Sequence, residues 1–231
     1  MLEALKEQVW RANLDLVEYK LVLFTWGNVS AIDRESGRVV IKPSGVDYAQ
    51  MQPSDMVVLS LDGDILEGDL NPSSDTPTHL ELYRRFPSIG GVAHTHSTYA
   101  VAFAQAAKEI PPYGTTHADF AFGPIPCTRD LTYAEIKEAY ELNTGRVIAE
   151  HFETRDIDPN AVPAVLVHSH GPFTWGKSAD AAAKNAAILE EVARMAFLSR
   201  MLDAPTTSSF IQKKHYERKH GPNAYYGQGN K

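Results

Sequence analysis

The alternation of apolar and polar positions predicts that the chain opens with a helix and continues into short strands. Apolar residues recur at helical spacing between Leu2 and Leu16. Four short apolar segments follow, separated by glycine-containing turns, at residues 21–26, 29–33, 39–43 and 56–61. Because this close spacing leaves no room for crossover helices, we expect antiparallel hairpins rather than βαβ units. The polar stretch 69–75 is expected to be a loop.

The rest of the chain predicts helices that alternate with buried strands. Thr76-Pro77 has the form of a helix start, and Thr132 with Glu135 forms a capping-box pattern. Ser178 is expected to cap a long alanine-rich helix. The predicted helices include 76–86, 97–107 and 178–202, with strands at 90–96 and 165–170 and a turn at 171–177. This order is typical of one α/β domain whose mixed sheet is covered by helices.

Composition narrows the class of protein. The 231 residues carry 22 Lys and Arg against 29 Asp and Glu, a formal charge of −7, which argues against nucleic-acid and membrane partners because both are anionic. The single cysteine, Cys127, can form neither an intrachain disulfide nor a cysteine-based zinc cluster. With no apolar signal core near the N-terminus, the sequence predicts a cytoplasmic protein.

Two H-x-H pairs predict a metal site. His94 and His96 follow one apolar run, and His168 and His170 follow another. In a strand, residues i and i+2 point to the same face, so each pair can direct two imidazoles at one ion. Neutral imidazole is a common ligand of zinc and related metals. The spacing does not choose between His168 and His170.

An acidic ligand is left open by the sequence. Asp75, Glu81 and Asp119 compete for that role, while His79 and His117 are weaker candidates. The chain contains no dinucleotide-binding G-x-G-x-x-G, Walker loop, G-x-S-x-G elbow or H-E-x-x-H motif. A nucleotide cofactor is therefore not supported.

Eight segments, in order along nearly the whole chain, resemble the class II aldolase family and, within it, the L-ribulose-5-phosphate 4-epimerases. They are 25–30 (TWGNVS), 42–46 (KPSGV), 73–79 (SSDTPTH), 94–97 (HTHS), 114–119 (GTTHAD), 166–172 (LVHSHGP), 214–216 (KHY) and 224–227 (AYYG). The resemblance implies a single three-layer α/β/α domain over residues 1–231, with a central mixed, mostly antiparallel sheet. It also implies a homotetramer with active sites between subunits, and a tail, about 210–231, that closes over the site.

The resemblance selects the metal ligands that spacing left open. Asp75, His94, His96 and His170 would hold Zn²⁺, leaving His168 outside the ligand set; imidazole and carboxylate also accept Mn²⁺ or Co²⁺. It implies epimerisation of L-ribulose 5-phosphate to D-xylulose 5-phosphate at C4. The C3–C4 bond would be broken by a retro-aldol step and re-formed on the other face of the aldehyde, while the ion stabilises the enediolate.

The same resemblance assigns the remaining site residues. Asp119 and Tyr226, from neighbouring subunits, would carry the two protons. Backbone N–H groups and small hydroxyls would bind the phosphate. The expected substrate-binding residues are Gly27, Asn28, Lys42, Ser44, Gly45, Ser73, Ser74, Asp75, Thr115, Glu141, His215 and Arg218. Thr115, Glu141, His215 and Arg218 would have to cross a subunit boundary or close over the site.

Three other functions compete with this interpretation. An aldolase of the L-fuculose- or L-rhamnulose-1-phosphate type would release the fragments; those enzymes place an acid/base glutamate where this chain has Asp75. A cupin-like, non-catalytic or oxidative metal protein would have no use for Asp119 or Tyr226. Metal-assisted hydrolysis needs only a water position and a base, and no chemistry in the sequence excludes it.

Overall fold

A computed structural model describes residues 2–227, and its centre is a seven-stranded sheet in the order β4-β3-β2-β1-β5-β7-β6. The strands are β1 Asn28–Asp33, β2 Arg38–Ile41, β3 Val57–Leu59, β4 Ile65–Glu67, β5 Gly91–His94, β6 Ala164–Val167 and β7 Gly171–Gly176. All neighbouring strands pair antiparallel. The parallel contact is an isolated bridge between Cys127 and Leu166. The hairpin interpretation of the early strands is therefore confirmed.

Helices cover both faces of the sheet. They are α1 Glu3–Glu18, α2 Thr76–Arg85, α3 Thr98–Gln105, α4 Thr115–Phe120, α5 Tyr133–Thr154, α6 Ala179–Met201 and α7 Ser209–His220, with a short 3₁₀ turn at Pro53–Asp55. Both predicted caps are confirmed, because the Thr132 side chain accepts from the Glu135 N–H and the Ser178 side chain accepts from the Ala181 N–H. The single-domain, three-layer α/β arrangement is confirmed.

Alternation along the strands gives each face of the sheet its own core. Val29 and Ala31 of β1 pack with α1 and the start of α6, whereas Ile32 belongs to the larger core with α2 and α5. On that second face the Ser30 hydroxyl contacts His79 Nδ1 at 2.7 Å and the Tyr83 hydroxyl at 2.7 Å. The polar residues of β1 thus lie beneath the start of α2, where the site is formed.

Helices α2 and α5 approach very closely. A Cβ placed on Gly145 of α5 would lie 2.8 Å from Glu81 Cβ, so only glycine fits at this crossing. The Thr78 hydroxyl donates to the Glu141 carbonyl at 2.5 Å. The backbone of α5 is kinked at Ala139, shortly before Glu141. The kink and the close crossing together hold this part of α5 beside the N-terminus of α2.

Three element predictions are wrong. Residues 21–26 form an irregular loop because Phe24 has a left-handed φ of 54°, which extended backbone does not allow. The strand predicted at 165–170 ends at Val167, because Ser169 has φ 61° and reverses the chain. Residues 171–176, expected to be a turn, form β7; glycine and proline at its start concealed the alternating Phe173 and Trp175. Strand β4 and helix α4 were not predicted.

Among the helices of residues 2–227, none has both the length and the apolar character that a membrane span requires.

Candidate metal centre and active site

Three histidines meet where two strands of the sheet end. His94 is the last residue of β5 and pairs with Asn28 of β1 and Phe173 of β7. His96 follows it by two residues, and His170 ends the turn between β6 and β7. One ligand nitrogen from each histidine lies within 4.8 Å of the other two. His94 Nε2 and His96 Nε2 are only 3.0 Å apart.

Hydrogen bonds direct the lone pairs of these imidazoles inward. His94 Nδ1 lies 2.9 Å from the Pro172 carbonyl oxygen, and because a carbonyl only accepts, the ring proton is on Nδ1 and the Nε2 lone pair faces His96. His170 Nδ1 contacts the Tyr140 hydroxyl at 3.2 Å. The Nε2 of His94 is therefore available for a ligand, and the Nε2 of His170 is available in the tautomer in which Nδ1 donates to the Tyr140 hydroxyl.

Burial favours the metal-binding form of two of these histidines, His96 and His170. Burial, followed by the neighbouring His94, lowers the pKa of His170 to about 3 and also lowers the pKa of His96. Neutral imidazole is the form that donates a lone pair to a metal ion. Three converging imidazoles fit a divalent ion of the zinc type, so the residues present suit the predicted metal.

Of the two H-x-H pairs, only the pair of His94 and His96 contributes both histidines to the cluster. His168 Nδ1 lies 3.9 Å from an Asp130 carboxylate oxygen and is absent from the three-histidine group. The same-face interpretation of His168 and His170 is wrong, because both lie in a turn rather than in a strand. His168 thus lies apart from the cluster that contains His170, in agreement with the choice of His170 as a ligand that the family resemblance implies.

Asp75 is the acidic residue nearest this chemistry. Its carboxylate accepts from Asn28 Nδ2 at 2.6 Å. Burial alone would raise the pKa of Asp75, but electrostatic interaction with the neighbouring His94 and His79 rings and the Asn28 hydrogen bond outweigh it and lower the pKa. Asp75 is not part of the 4.8 Å histidine group, so its role as a fourth ligand stays a prediction.

The other candidate ligands lie elsewhere. Glu81 pairs with Arg84 and Arg85 on α2. His117 Nε2 contacts the Gly123 carbonyl at 2.7 Å, and His79 contacts Ser30. Each of these side chains is therefore engaged in a structural contact.

The histidines line a cavity of about 390 Å³ that also contains most of the predicted substrate-binding residues. Those that line it are Gly27, Asn28, Lys42, Ser44, Gly45, Ser73, Ser74, Asp75 and Glu141. The cavity also includes Trp26 and Tyr140, which the sequence analysis missed. Tyr140 is brought to His170 by the kink in α5, for which no local sequence signal exists. Trp26 directly precedes the predicted Gly27, and this adjacency was the available signal.

One side of the cavity has the donors expected of an anion site. The Ser44 N–H donates to the Asn71 carbonyl at 2.9 Å, and the Ser73 N–H donates to the Lys42 carbonyl at 3.0 Å. These bonds hold the two serine-containing loops side by side. Gly45 has φ 69°, a left-handed conformation that favours glycine. Because these two N–H groups are already used between the loops, the serine hydroxyls and the other backbone N–H groups of the turns are the donors that would hold a phosphate.

Lys42 places a cation beneath these loops. The side chain is buried, and its Nζ donates to the carbonyls of Thr25 and Pro43, both at 3.3 Å. Nζ also lies 4.8 Å from the centre of the Tyr48 ring. Burial lowers the pKa of Lys42 to about 8, since the charged ammonium is less stable away from water. Its charge lacks a carboxylate partner among the described contacts.

A second cluster joins α4 to the C-terminal helix. His215 Nδ1 and Arg218 Nε each lie 3.0 Å from Asp119 Oδ1, and Lys219 Nζ is 3.7 Å from Oδ2. The Arg218 guanidinium lies 5.0 Å from the centre of the Tyr226 ring. Burial would raise the pKa of Asp119, but hydrogen bonds from Arg218 and His215 hold it below its usual value.

Within one chain this second cluster is separate from the histidine cavity. Asp119 borders a different cavity, of about 640 Å³, and Thr115 begins the helix that carries it. Asp119, Thr115, His215, Arg218 and Tyr226 do not line the cavity that contains the histidines. Closure of the tail over a neighbouring site stays a prediction, and residues 228–231 lie outside the described part of the chain.

Comparisons with known proteins identify the family and the fold of this chain. The sequence model of the class II aldolase and adducin N-terminal domain matches residues 7–197. An L-fuculose 1-phosphate aldolase structure is similar at TM-score 0.78 and 24% identity, covering 93% of this chain and 95% of that one. YgbL from Klebsiella pneumoniae, described as a candidate aldolase/epimerase/decarboxylase, is similar at TM-score 0.74 and 23% identity, with 93% and 99% covered.

A third similar structure is the L-fuculose-1-phosphate aldolase of Thermus thermophilus, at TM-score 0.68 and 25% identity. The similarity covers 88% of this chain and 98% of the Thermus protein. The family match spans the histidine cluster and both serine loops and ends before α7. The chain therefore belongs to the family of the class II aldolase and adducin N-terminal domain.

Proposed function

We propose that this protein epimerises L-ribulose 5-phosphate to D-xylulose 5-phosphate at C4. The observation that carries the proposal is the shared cavity, in which three imidazoles and Asp75 lie beside serine loops and the buried Lys42. A ketose phosphate has the matching polarity, with a phosphate at one end and vicinal oxygen atoms near its carbonyl at the other. Sequence segments 25–30, 42–46 and 73–79 supply the residues that would hold the phosphate.

The proposed reaction proceeds by reversible cleavage of one carbon–carbon bond. A base removes the proton of the C4 hydroxyl, the C3–C4 bond breaks, and its electron pair becomes the enediolate of dihydroxyacetone while C4 becomes the aldehyde of glycolaldehyde phosphate. A divalent ion held by His94, His96 and His170 would supply Lewis-acid stabilisation of that negative charge. The aldehyde rotates, C3 adds to its other face, and an acid protonates the new C4 alkoxide.

Asp119 and Tyr226 are the proposed proton carriers for the two orientations of the C4 oxygen. Their proximity within one cluster supports a joint role. Their separation from the histidine cavity of the same chain supports a site completed by a neighbouring subunit, as in the proposed homotetramer. Arg218 and His215 then orient the Asp119 carboxylate through their hydrogen bonds.

The second candidate function is a sugar-phosphate aldolase that releases its two fragments. Similarity to two L-fuculose-1-phosphate aldolase structures favours it. The identity of Asp75 supports the epimerase instead, because this carboxylate is one methylene shorter than glutamate and is tied to Asn28 at 2.6 Å. Asp75 is thereby less suited to reach a substrate proton than a free glutamate would be.

The deciding experiment is incubation of the metal-loaded protein with L-ribulose 5-phosphate and separately with L-fuculose 1-phosphate. We expect D-xylulose 5-phosphate from the first substrate, no turnover of the second, and loss of activity with a chelator. Accumulation of glycolaldehyde phosphate would instead support an aldolase. An absence of turnover with metal present would reject both candidates.

Lys42→Met is expected to raise KM for L-ribulose 5-phosphate more than it lowers kcat. A hydrogen bond to a charged group contributes about 1.5–3 kcal/mol, so we expect about a 10- to 100-fold loss of kcat/KM. The folded pKa of Lys42, about 8, lies below its ordinary value of 10.5, so its charge is lost as pH rises through 8. Wild-type KM should therefore rise above pH 8, and the variant should lack this inflection in steady-state assays.

The same pKa shift sets the sign of the stability effect. Between pH 8 and 10.5 the unfolded chain binds more protons at Lys42 than the folded one, so the free energy of unfolding should rise with pH there.

For the effect on KM, Lys177→Met is the control, because Lys177 Nζ contacts the Ser88 carbonyl at 3.0 Å beside the other cavity. An unchanged KM in Lys42→Met would contradict the proposed phosphate position.

A further inference from the structure

Two large aromatic side chains stand exposed beside the histidine cavity. Phe24 is 78% exposed and Trp26 is 51% exposed, and their rings meet edge to face with centroids 5.6 Å apart. The Trp26 ring lines the cavity and its centroid lies 6.1 Å from that of His96. Leaving this apolar area in water costs about 25 cal/mol per Å², so the rings are expected to gain a contact during function.

The backbone that carries these rings is anchored from beneath. The Tyr48 hydroxyl contacts the carbonyls of Trp26 at 2.7 Å and Gly27 at 3.0 Å. The Trp26 N–H donates to the Leu23 carbonyl at 3.0 Å, closing a turn. A Cβ on Gly27 would lie 2.6 Å from Val22 Cγ1. The exposure of the indole is thus imposed by a fixed loop rather than by fraying of the chain.

Trp26 lies between the two functional halves of the cavity. Its neighbours Gly27 and Asn28 belong to the expected phosphate-binding residues, whereas its ring is next to His96. A substrate that spans the cavity from the serine loops to the histidines can therefore contact this ring. The central carbons, whose C–H groups pack well against an aromatic face, would lie against the indole.

We propose that Trp26 is the residue that retains the aldehyde fragment, and so decides between epimerisation and net cleavage. The inference rests on the proposed function and extends it. Once the C3–C4 bond breaks, glycolaldehyde phosphate is held only by its phosphate contacts and must turn over without leaving. An indole at the mouth blocks the exit beside His96 and still permits rotation, because an apolar face offers the aldehyde oxygen no hydrogen bond that would fix one orientation.

Trp26→Ala is the main test, with Trp26→Phe as the conservative variant and Tyr133→Ala as the matched control. Tyr133 is 78% exposed at the start of α5 and does not line the cavity. Each metal-loaded protein is incubated with L-ribulose 5-phosphate, and the ratio of trapped glycolaldehyde phosphate to D-xylulose 5-phosphate is measured. Bound metal and oligomer mass are measured for every variant.

Trp26→Ala is expected to raise this ratio by about two- to tenfold, the loss of one aromatic contact, while metal content and oligomer mass stay at wild-type values. Trp26→Phe should restore most of the retention, and Tyr133→Ala should behave as wild type. If the wild type is active and the ratio is unchanged in Trp26→Ala, the inference about Trp26 is overturned while the proposed reaction stands. A ratio that changes only together with oligomer mass would also overturn it, because the rings would then serve a subunit contact.

A measurement without turnover separates this inference from the proposed reaction. Indole emission is compared between wild type and Trp26→Phe on addition of D-xylulose 5-phosphate to chelator-treated protein, since the other two tryptophans, Trp10 and Trp175, are common to both. An emission change that requires Trp26 supports its contact with the sugar phosphate. Such a change in a protein that lacks epimerase activity would reject the reaction but retain the contact; no change would reject the contact.

Discussion

Replacing His96 with asparagine is expected to remove the divalent ion and reduce kcat/KM for L-ribulose 5-phosphate by about 10³-fold or more. His96 Nε2 lies 3.0 Å from His94 Nε2, so the substitution removes one of three converging nitrogen donors and leaves a neutral amide that binds zinc weakly. Losing several kcal/mol of Lewis-acid stabilisation corresponds to a rate loss of that size. Metal per chain, measured by atomic emission after dialysis, and initial rates test the expectation together.

His168→Asn is the matched control for this substitution. It changes a histidine of the other H-x-H pair, which contacts Asp130 rather than the cluster. We expect this variant to retain its metal and nearly all of its activity. Full metal occupancy in His96→Asn, or loss of metal in His168→Asn, would show that the ligand assignment is wrong. Circular dichroism of both variants identifies any loss that comes from unfolding.

The contrast between the two histidine pairs marks the limit of what spacing predicts. Both pairs follow an apolar run and both have the i, i+2 interval. What separates them is the left-handed φ of 61° at Ser169, a residue that seldom adopts this conformation. Because no local pattern signals it, the sequence alone could not choose His170, and only the family resemblance made that choice.

The fold was predictable where a short apolar run was bounded by turn residues. Strands β1, β2, β3 and β5 carry consecutive β-branched or small apolar residues and were predicted. Strand β7 was taken as a turn because Gly171 and Pro172 begin it, and such residues usually mark turns. Its inward-facing Phe173 and Trp175 are stabilised by contacts with residues far along the chain. These contacts override the local turn preference.

The site residues divide in the same way, into those that a local sequence pattern predicts and those that depend on contacts far along the chain. The serine loops were predictable because each belongs to a recognisable segment, and they share the cavity with the histidines. Tyr140 could not be predicted, since its contact with His170 spans 30 positions and depends on the kink at Ala139. The packing of α7 on α4 was also hidden, because the charged run 213–220 resembles a solvated face rather than a partner for Asp119.

Asp119→Asn and Tyr226→Phe are each expected to lower kcat for epimerisation by about 10²- to 10⁴-fold, the range for removal of a general acid or base. Both should keep wild-type metal content, because neither residue lines the histidine cavity of its own chain. Asparagine keeps the shape of Asp119 and one acceptor oxygen, but its amide NH2 can neither accept from the second Arg218 nitrogen nor take a proton. Rates are measured by coupled assay for D-xylulose 5-phosphate, with bound metal as the second readout.

A mixed oligomer tests whether these residues act across a subunit boundary. His96→Asn and Asp119→Asn chains, each nearly inactive alone, are co-expressed with different tags and the hybrid is isolated. If a site combines the histidines of one chain with Asp119 of its neighbour, random assembly gives about a quarter of the sites both wild-type halves. About a quarter of wild-type activity should return. If each site uses a single chain, no hybrid site is intact, and activity that stays at the level of the parents would reject the shared site.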